Sequence, residues 1–246
     1  MKITWKTPVL IFSTALLMMA CTDQQLMQTR DILSGTGAGA ALSTEEVAKG
    51  LKEALSFGTK DATALASKLD GFKSNPKIRI PFPPEAIKVR NTAMDLGLGA
   101  QVDKFETTLN RSAEEAAKSA APIFLNAIKG MSIQDAFDIL KGQDDAATNY
   151  LRSKTYQQLY SQFKPKVEAA VGKMKVGEHW DPISKAYNAS TLLTGGEKIN
   201  PDLNDYVTSR AVDGLFVLLT EQEQKIRENP QARVTDLLKK VFAAQD

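Results

Sequence analysis

Three observations predict an all-α fold for this chain. Apolar residues recur at steps of three and four over long stretches, residues that start and stop helices bracket those stretches, and no alternating series marks a run of strands. The expected organisation is a leader over residues 1–20, a tether over 21–42 and one helical domain of roughly eight to ten helices over 43–246. With 246 residues, 43% hydrophobic and 24% charged, the chain has the composition of a folded protein and the length to bury one sizeable core.

The leader sets Lys2 and Lys6 ahead of an apolar run from Val9 to Ala20. That run is shorter than the roughly 20 residues of a membrane span and fits the core of a secretory signal peptide. Cys21, the only cysteine, follows the small Ala20. This resembles the lipobox of bacterial lipoproteins, with Met18 standing where Leu is usual. The resemblance implies that Cys21 is acylated and becomes the new N-terminus, and Thr22 in place of Asp implies outer-membrane sorting with the domain at the periplasmic face. Each buried CH₂ contributes about 0.8 kcal/mol, so one acyl chain holds marginally and two or three hold durably. A protein so placed has no disulfide to stabilise it in an oxidising compartment. Removing Lys2 and Lys6 with the leader leaves 29 basic against 29 acidic side chains. A neutral domain lacks the basic stripe that phosphate-backbone binding requires, so no nucleic-acid partner is expected.

After Cys21 the chain is polar, then rich in Gly and Ala, and reads as a flexible tether. Its "GTGAG" lacks both the preceding strand and the spacing of a phosphate-binding loop. The first helix starts at Ser43, an N-cap with Glu46 three residues on, carries Val47, Leu51, Ala54 and Leu55, and is expected to stop at Gly58. A second short helix is expected over Asp61–Leu69. In "NPKIRIPFPPE", Pro81, Pro83 and Pro84 exclude helix, while Ile78 and Ile80 alternate with Lys77 and Arg79. It reads as an extended arm, with a minimal two-stranded pairing to "EKINP" (Glu197–Pro201) left open.

From Gln101 to Met131 the positions Val102, Phe105, Leu109, Ala113, Ala116, Ala120 and Ala127 predict one long, Ala-rich helix. A short helix follows, capped by Ser132 and stopped near Gly142. The next opens at Asp144 and Asp145, buries Ala147, Leu151, Leu159, Phe163 and Val167, and should be kinked or interrupted by Pro165. Trp180–Leu193 and Asn200–Arg227 read as helical, with Asn200-Pro201 as cap and first-turn pair. "VTDLLKKVF" gives a last amphipathic piece.

Chemistry is sparse. Nucleophilic hydrolysis uses a Ser or Cys with a base in reach, commonly His, and the only histidine is His179, in "GEHWDP". No nucleophile elbow, paired-histidine zinc motif or calcium loop is present, so no catalytic residue, metal or cofactor is assigned. Asp144 and Asp145 are read mainly as the N-cap and first turn of their helix, where a carboxylate satisfies free N–H groups and the macrodipole for about 0.5–2 kcal/mol. Arg111 can reach Glu114 or Glu115 at one helical turn. Asp213 interrupts an apolar helix and requires a cation, with Arg210, Arg111 or Arg233 as candidates. The minority expectation is that Asn110, Arg111, Glu114, Asp144, Asp145, Arg210 and Asp213 form one polar cluster.

The segments "GLKEALSFG", "DGFKSNPKIRIPFP", "NRSAEEAAKSAAPIF", "ILKGQDDAATNYL", "DYVTSRAVDGLF" and "NPQARVTDLLKKVF", in this order from Leu42 to Phe242, resemble the bacterial domain-of-unknown-function family 4197, with Ser112 where Ala is more usual. The resemblance implies an exported, often lipidated helical domain with no established reaction, and it transfers no catalytic residues. The leading expectation is therefore an envelope-anchored, non-enzymatic binding or scaffolding domain whose partner is an unidentified protein or envelope component. Two alternatives stay open: a hydrolase or lyase acting on an envelope polymer through Asp144, Asp145, Glu114 and Arg111, and an apolar-ligand carrier.

Overall fold

In the computed structural model the described residues are 42–95, 97–173, 202–233 and 235–243, with positions 180, 184, 185, 187–189, 191 and 195 between them. The leader, Cys21, His179 and the "EKINP" segment lie outside the described residues. Eight α-helices have described bounds: α1 (Thr44–Ser67), α2 (Ile87–Asp95), α3 (Gly99–Ala117), α4 (Ala120–Lys129), α5 (Ile133–Leu140), α6 (Ala146–Lys173), α7 (Asn204–Glu228) and α8 (Asp236–Ala243). Short 3₁₀ turns at Pro84–Ala86 and Pro230–Ala232 lead into α2 and α8. No strand occurs among the described residues. The fold is all-α, and the described residues from Ser43 on belong to one compact unit.

Local chemistry explains where the helices start. Ser43 accepts from the Glu46 N–H at 3.1 Å while the Glu46 carboxylate accepts from the Ser43 N–H at 2.8 Å, a reciprocal capping box. Ser132 and Asp135 repeat the device on α5. Gly58 does not end α1: the helix runs on to Ser67, merging the two expected pieces. Ala62 and Ala66 continue the buried phase of Val47, Leu51, Ala54 and Leu55, and this packing outweighs a glycine's cost of about 1 kcal/mol.

The expected 101–131 helix is divided into α3 and α4 at Lys118–Ser119. Pro122 has no N–H and could not continue α3, but it is tolerated in the first turn of a new helix. The Ser119 hydroxyl and N–H both turn back to the Ala116 carbonyl, at 2.8 and 3.1 Å. Pro165, by contrast, does not interrupt α6, which passes through it to Lys173. Ser161, whose carbonyl loses its partner there, is exposed, so water can satisfy it.

α6 and α7 form the most extensive helix pair and run antiparallel, with Arg152 paired to Asp213 and Lys164 to Asp205. α3 packs on both, its Leu109, Ala113, Ala116 and Ala117 fully buried, and α1 lies against α7, α4 and α3. The arm before α2 is anchored at its tip, where Phe82, Phe105 and Trp180 meet with ring centroids 4.8–5.5 Å apart.

Candidate functional site

The "NRSAEE" segment of α3 carries three of the seven polar candidates, Asn110, Arg111 and Glu114, and the structure uses it to hold the arm. Glu106, Asn110 and Glu114, four residues apart, form one buried stripe. Asn110 pairs with Ile80 as a neighbouring strand would: its amide oxygen accepts from the Ile80 N–H at 2.8 Å, and its amide nitrogen donates to the Ile80 carbonyl at 2.9 Å. A third bond, at 2.7 Å, goes to the Glu106 carbonyl. Both backbone groups of the arm's central residue are thus satisfied by one side chain. Glu106 accepts from Arg79 at 2.5 Å and Arg90 at 3.4 Å.

Glu114 accepts from the Phe72 and Lys73 N–H groups at 3.2 and 3.4 Å, and from Arg111 at 2.6 Å. Arg111 also donates to Asp70 at 2.9 Å. The i,i+3 pair expected from the sequence is present, but it is built into the interior rather than solvated. The Glu114 hydrogen bond, opposed by burial and aided by both carboxylates' charge, raises the Arg111 pKa further above its ordinary value.

Asp144 and Asp145 lie elsewhere, in the turn between α5 and α6. Their expected role as side-chain caps is corrected by the geometry. The Ala147 and Thr148 N–H groups at the start of α6 donate instead to the carboxylate of Glu223 on α7, at 2.9 and 2.8 Å, and the Thr148 hydroxyl adds a third bond at 2.8 Å. Arg227 donates to the same carboxylate at 2.9 Å and to the Ile139 carbonyl at the end of α5, also at 2.9 Å. A buried acid 75 residues away therefore caps α6. Gly142 is required at this junction, because a Cβ there would meet the Ala146 Cβ at 2.5 Å and the Asp138 carbonyl at 2.9 Å.

Asp213 is also corrected. It is half-exposed, and its partner is Arg152 on α6, at 2.8 Å, rather than Arg210, Arg111 or Arg233. The Arg152 guanidinium lies 4.5 Å from the Phe216 ring centroid. Arg210 sits over Tyr206 at 5.6 Å, and Arg233, buried, donates to the Ile226 and Arg227 carbonyls that end α7. The seven sequence candidates thus do not form one cluster: Asn110, Arg111 and Glu114 stand together on α3, while Asp144 with Asp145, and Arg210 with Asp213, occupy two other places.

A half-open cleft of about 560 Å³ lies between the end of α1, the end of α3 and the distal half of α6. Arg111, Glu114, Glu115, Lys118 and Lys166 line it, with Leu69, Ala169 and Ala170 as apolar neighbours. The Asp144/Asp145 pair is not among its lining residues, so the acid, base and clamp of a hydrolase or lyase are not assembled there. Two apolar spaces lined by described residues, one beside Trp180 and one beside Glu223, measure about 20 Å³ each. That is room for about one water, not for an apolar ligand. Among the described residues no three His, Cys, Asp or Glu side chains group as a metal site, and no helix is long and apolar enough to cross a membrane.

The model of the DUF4197 family, described as a protein of unknown function, matches residues 41–243. The chain belongs to this family. No curated protein and no solved structure matches it. Two of the segments quoted above now have a physical reading: "NRSAEEAAKSAAPIF" holds "DGFKSNPKIRIPFP" through Asn110–Ile80 and Glu114–Phe72, and Glu106, one turn before it on α3, adds Arg79. A third, "ILKGQDDAATNYL", is a helix junction closed from α7 by Glu223 and Arg227. Glu223, Glu106 and Arg152 were not singled out by sequence reasoning. For Glu223 a signal existed: it follows buried Val212, Leu215, Phe216 and Leu219 in helical phase, an acid on an apolar face.

Proposed function

We propose that the protein is a lipid-tethered component of the bacterial cell envelope, sorted to the outer membrane, whose helical domain is a non-catalytic binding or scaffolding module at the periplasmic face. The observation that carries this reading is the chain's only cysteine, Cys21, placed directly after a charged and apolar leader. The state of the polar residues supports the second half. Of the residues that the enzyme alternative draws on, Glu114 and Arg111 are engaged in holding the turn from Asp70 to Lys73, and Asn110 beside them holds the arm at Ile80. What remains is a helical body with a cleft on its surface, suited to presenting a face to a partner.

The test is metabolic labelling with an alkyne fatty acid, read on the full-length protein and on Cys21→Ser, with membranes separated by density. The wild type should carry the label and sediment with the outer membrane, and the variant should carry none. An unlabelled wild type, or a labelled Cys21→Ser, would overturn the tether.

A further inference from the structure

We propose that the cleft beside Arg111 is a docking site for a short segment of a partner polypeptide, with an apolar side chain seated on Leu69, Ala169 and Ala170 and a neighbouring carboxylate on Lys166. The proposal rests on the binding-module reading and names the chemistry that module recognises.

The first support is Leu69. It is 74% exposed, more than any other large hydrophobic residue described. Nor is it exposed for want of order. The turn that carries it is fixed on both sides: Asp70 pairs with Arg111, the Gly71 N–H donates to the Lys68 carbonyl, and the Phe72 and Lys73 N–H groups are held by Glu114. Asp70 takes a left-handed φ of 63°, and a Cβ at Gly71 would lie 2.3 Å from the Leu65 carbonyl, so no other residue fits that position. A turn held at a cost in backbone strain, presenting a leucine to water at the mouth of a cleft, is a pre-formed apolar anchor point.

The second support is charge. Arg111 is shared by Glu114 and Asp70, and Lys118 pairs with Glu115 at 2.6 Å. Lys166 lines the same cleft, is exposed, and has no ion pair among the described residues. The complementary group is therefore one carboxylate, not a polyanion. A rim bearing both signs, around an apolar floor and half-open to solvent, fits a polypeptide surface, in which apolar and charged groups of both signs alternate. It does not fit the chain of an amphiphile, which would stay half in water.

The experiment uses the full-length chain in non-ionic detergent and fluorescein-labelled Glu-Leu-Leu-Glu, Gln-Leu-Leu-Gln and Lys-Leu-Leu-Lys peptides, read by anisotropy. The Glu peptide should bind about five-fold or more tightly than the Lys peptide, as expected for gain or loss of one exposed ion pair and its reversal. Lys166→Glu should invert that order, and Leu69→Ser should weaken both peptides while leaving the unfolding transition in place. Lys129→Glu, outside the cleft, should change nothing. Failure of all three peptides to bind, or an order of preference that Lys166→Glu leaves intact, overturns the proposal. Because no step depends on acylation, failure here is distinguishable from failure of the Cys21 labelling.

Discussion

Replacing Glu223 by Ala should destabilise the protein far more than removing both Asp144 and Asp145. The Glu223 carboxylate takes two backbone N–H groups and one hydroxyl at the start of α6 and two donors of Arg227. Loss of the cap alone costs about 0.5–2 kcal/mol. The larger part is Arg227, whose side chain is only 13% exposed and would be left as a charge facing the carbonyl of Ile139 alone. Deleting one partner of a buried pair typically costs about 3–5 kcal/mol, a figure that includes the lost bonds. For a domain of this size that corresponds to a fall in Tm of about 6–20 °C. Asp144 and Asp145 make no bond to the first N–H groups of α6, so their double Ala variant should lose only a dipole contribution of about 1 kcal/mol. The assay is urea and thermal unfolding followed by circular dichroism, on full-length wild type, Glu223→Ala, Glu223→Gln and the double variant. Glu223→Gln should fall between, since its amide keeps one acceptor but turns a donor toward groups that donate. A Glu223→Ala loss no larger than that of the double variant would refute the cross-capping argument.

Asn110→Ala should cost about 2–4 kcal/mol, because it leaves the N–H and the carbonyl of buried Ile80 both unsatisfied; hydrogen exchange at the Ile80 amide should accelerate more than exchange in α6. Ser132 donates to Asp135 and holds its carboxyl below the ordinary range, with the hydroxyl bond as the largest cause. A depressed folded-state pKa stabilises above the unfolded pKa and is lost as pH falls through the folded one. The Tm advantage of the wild type over Asp135→Asn should thus be full near neutrality and shrink through the acidic carboxylate range, and an advantage that grows on acidification would contradict it.

What could be read from the sequence, and what could not, follows the distance over which each bond acts. The caps at Ser43 and Ser132 join residues three apart, and both were legible because donor and acceptor share one turn. Helix ends set by competition were not. Gly58 resembles a stop until the burial of Ala62 and Ala66 is known, and Pro122 divides a run of perfect periodicity. Asp144 and Asp145 were placed correctly at a helix start, but the acid that satisfies its N–H groups comes from another helix, and no local pattern names a partner 75 residues away. In the cleft, Arg111 and Glu114 were legible as a pair, whereas Leu69 and Lys166 were not, because an exposed leucine and a solvated lysine are ordinary surface residues until a fold sets them around one space.

The stripe of Glu106, Asn110 and Glu114 separates residues that specify the fold from residues free to do something else. Each bonds a different part of the segment from Asp70 to Arg90, so the arm has one register on α3: a slip by one residue would leave the Ile80 backbone groups, the Phe72 N–H and two buried carboxylates unpaired together. Such mutual dependence accounts for the polar content of the family-like segments without a ligand. It also removes those residues from the list of candidates for recognition, since a side chain whose loss unfolds the arm cannot vary with a partner. Leu69 and Lys166 are under no such constraint. They lie beside the same stripe, contribute nothing visible to holding the fold, and are the positions at which recognition can be changed while the body stays intact.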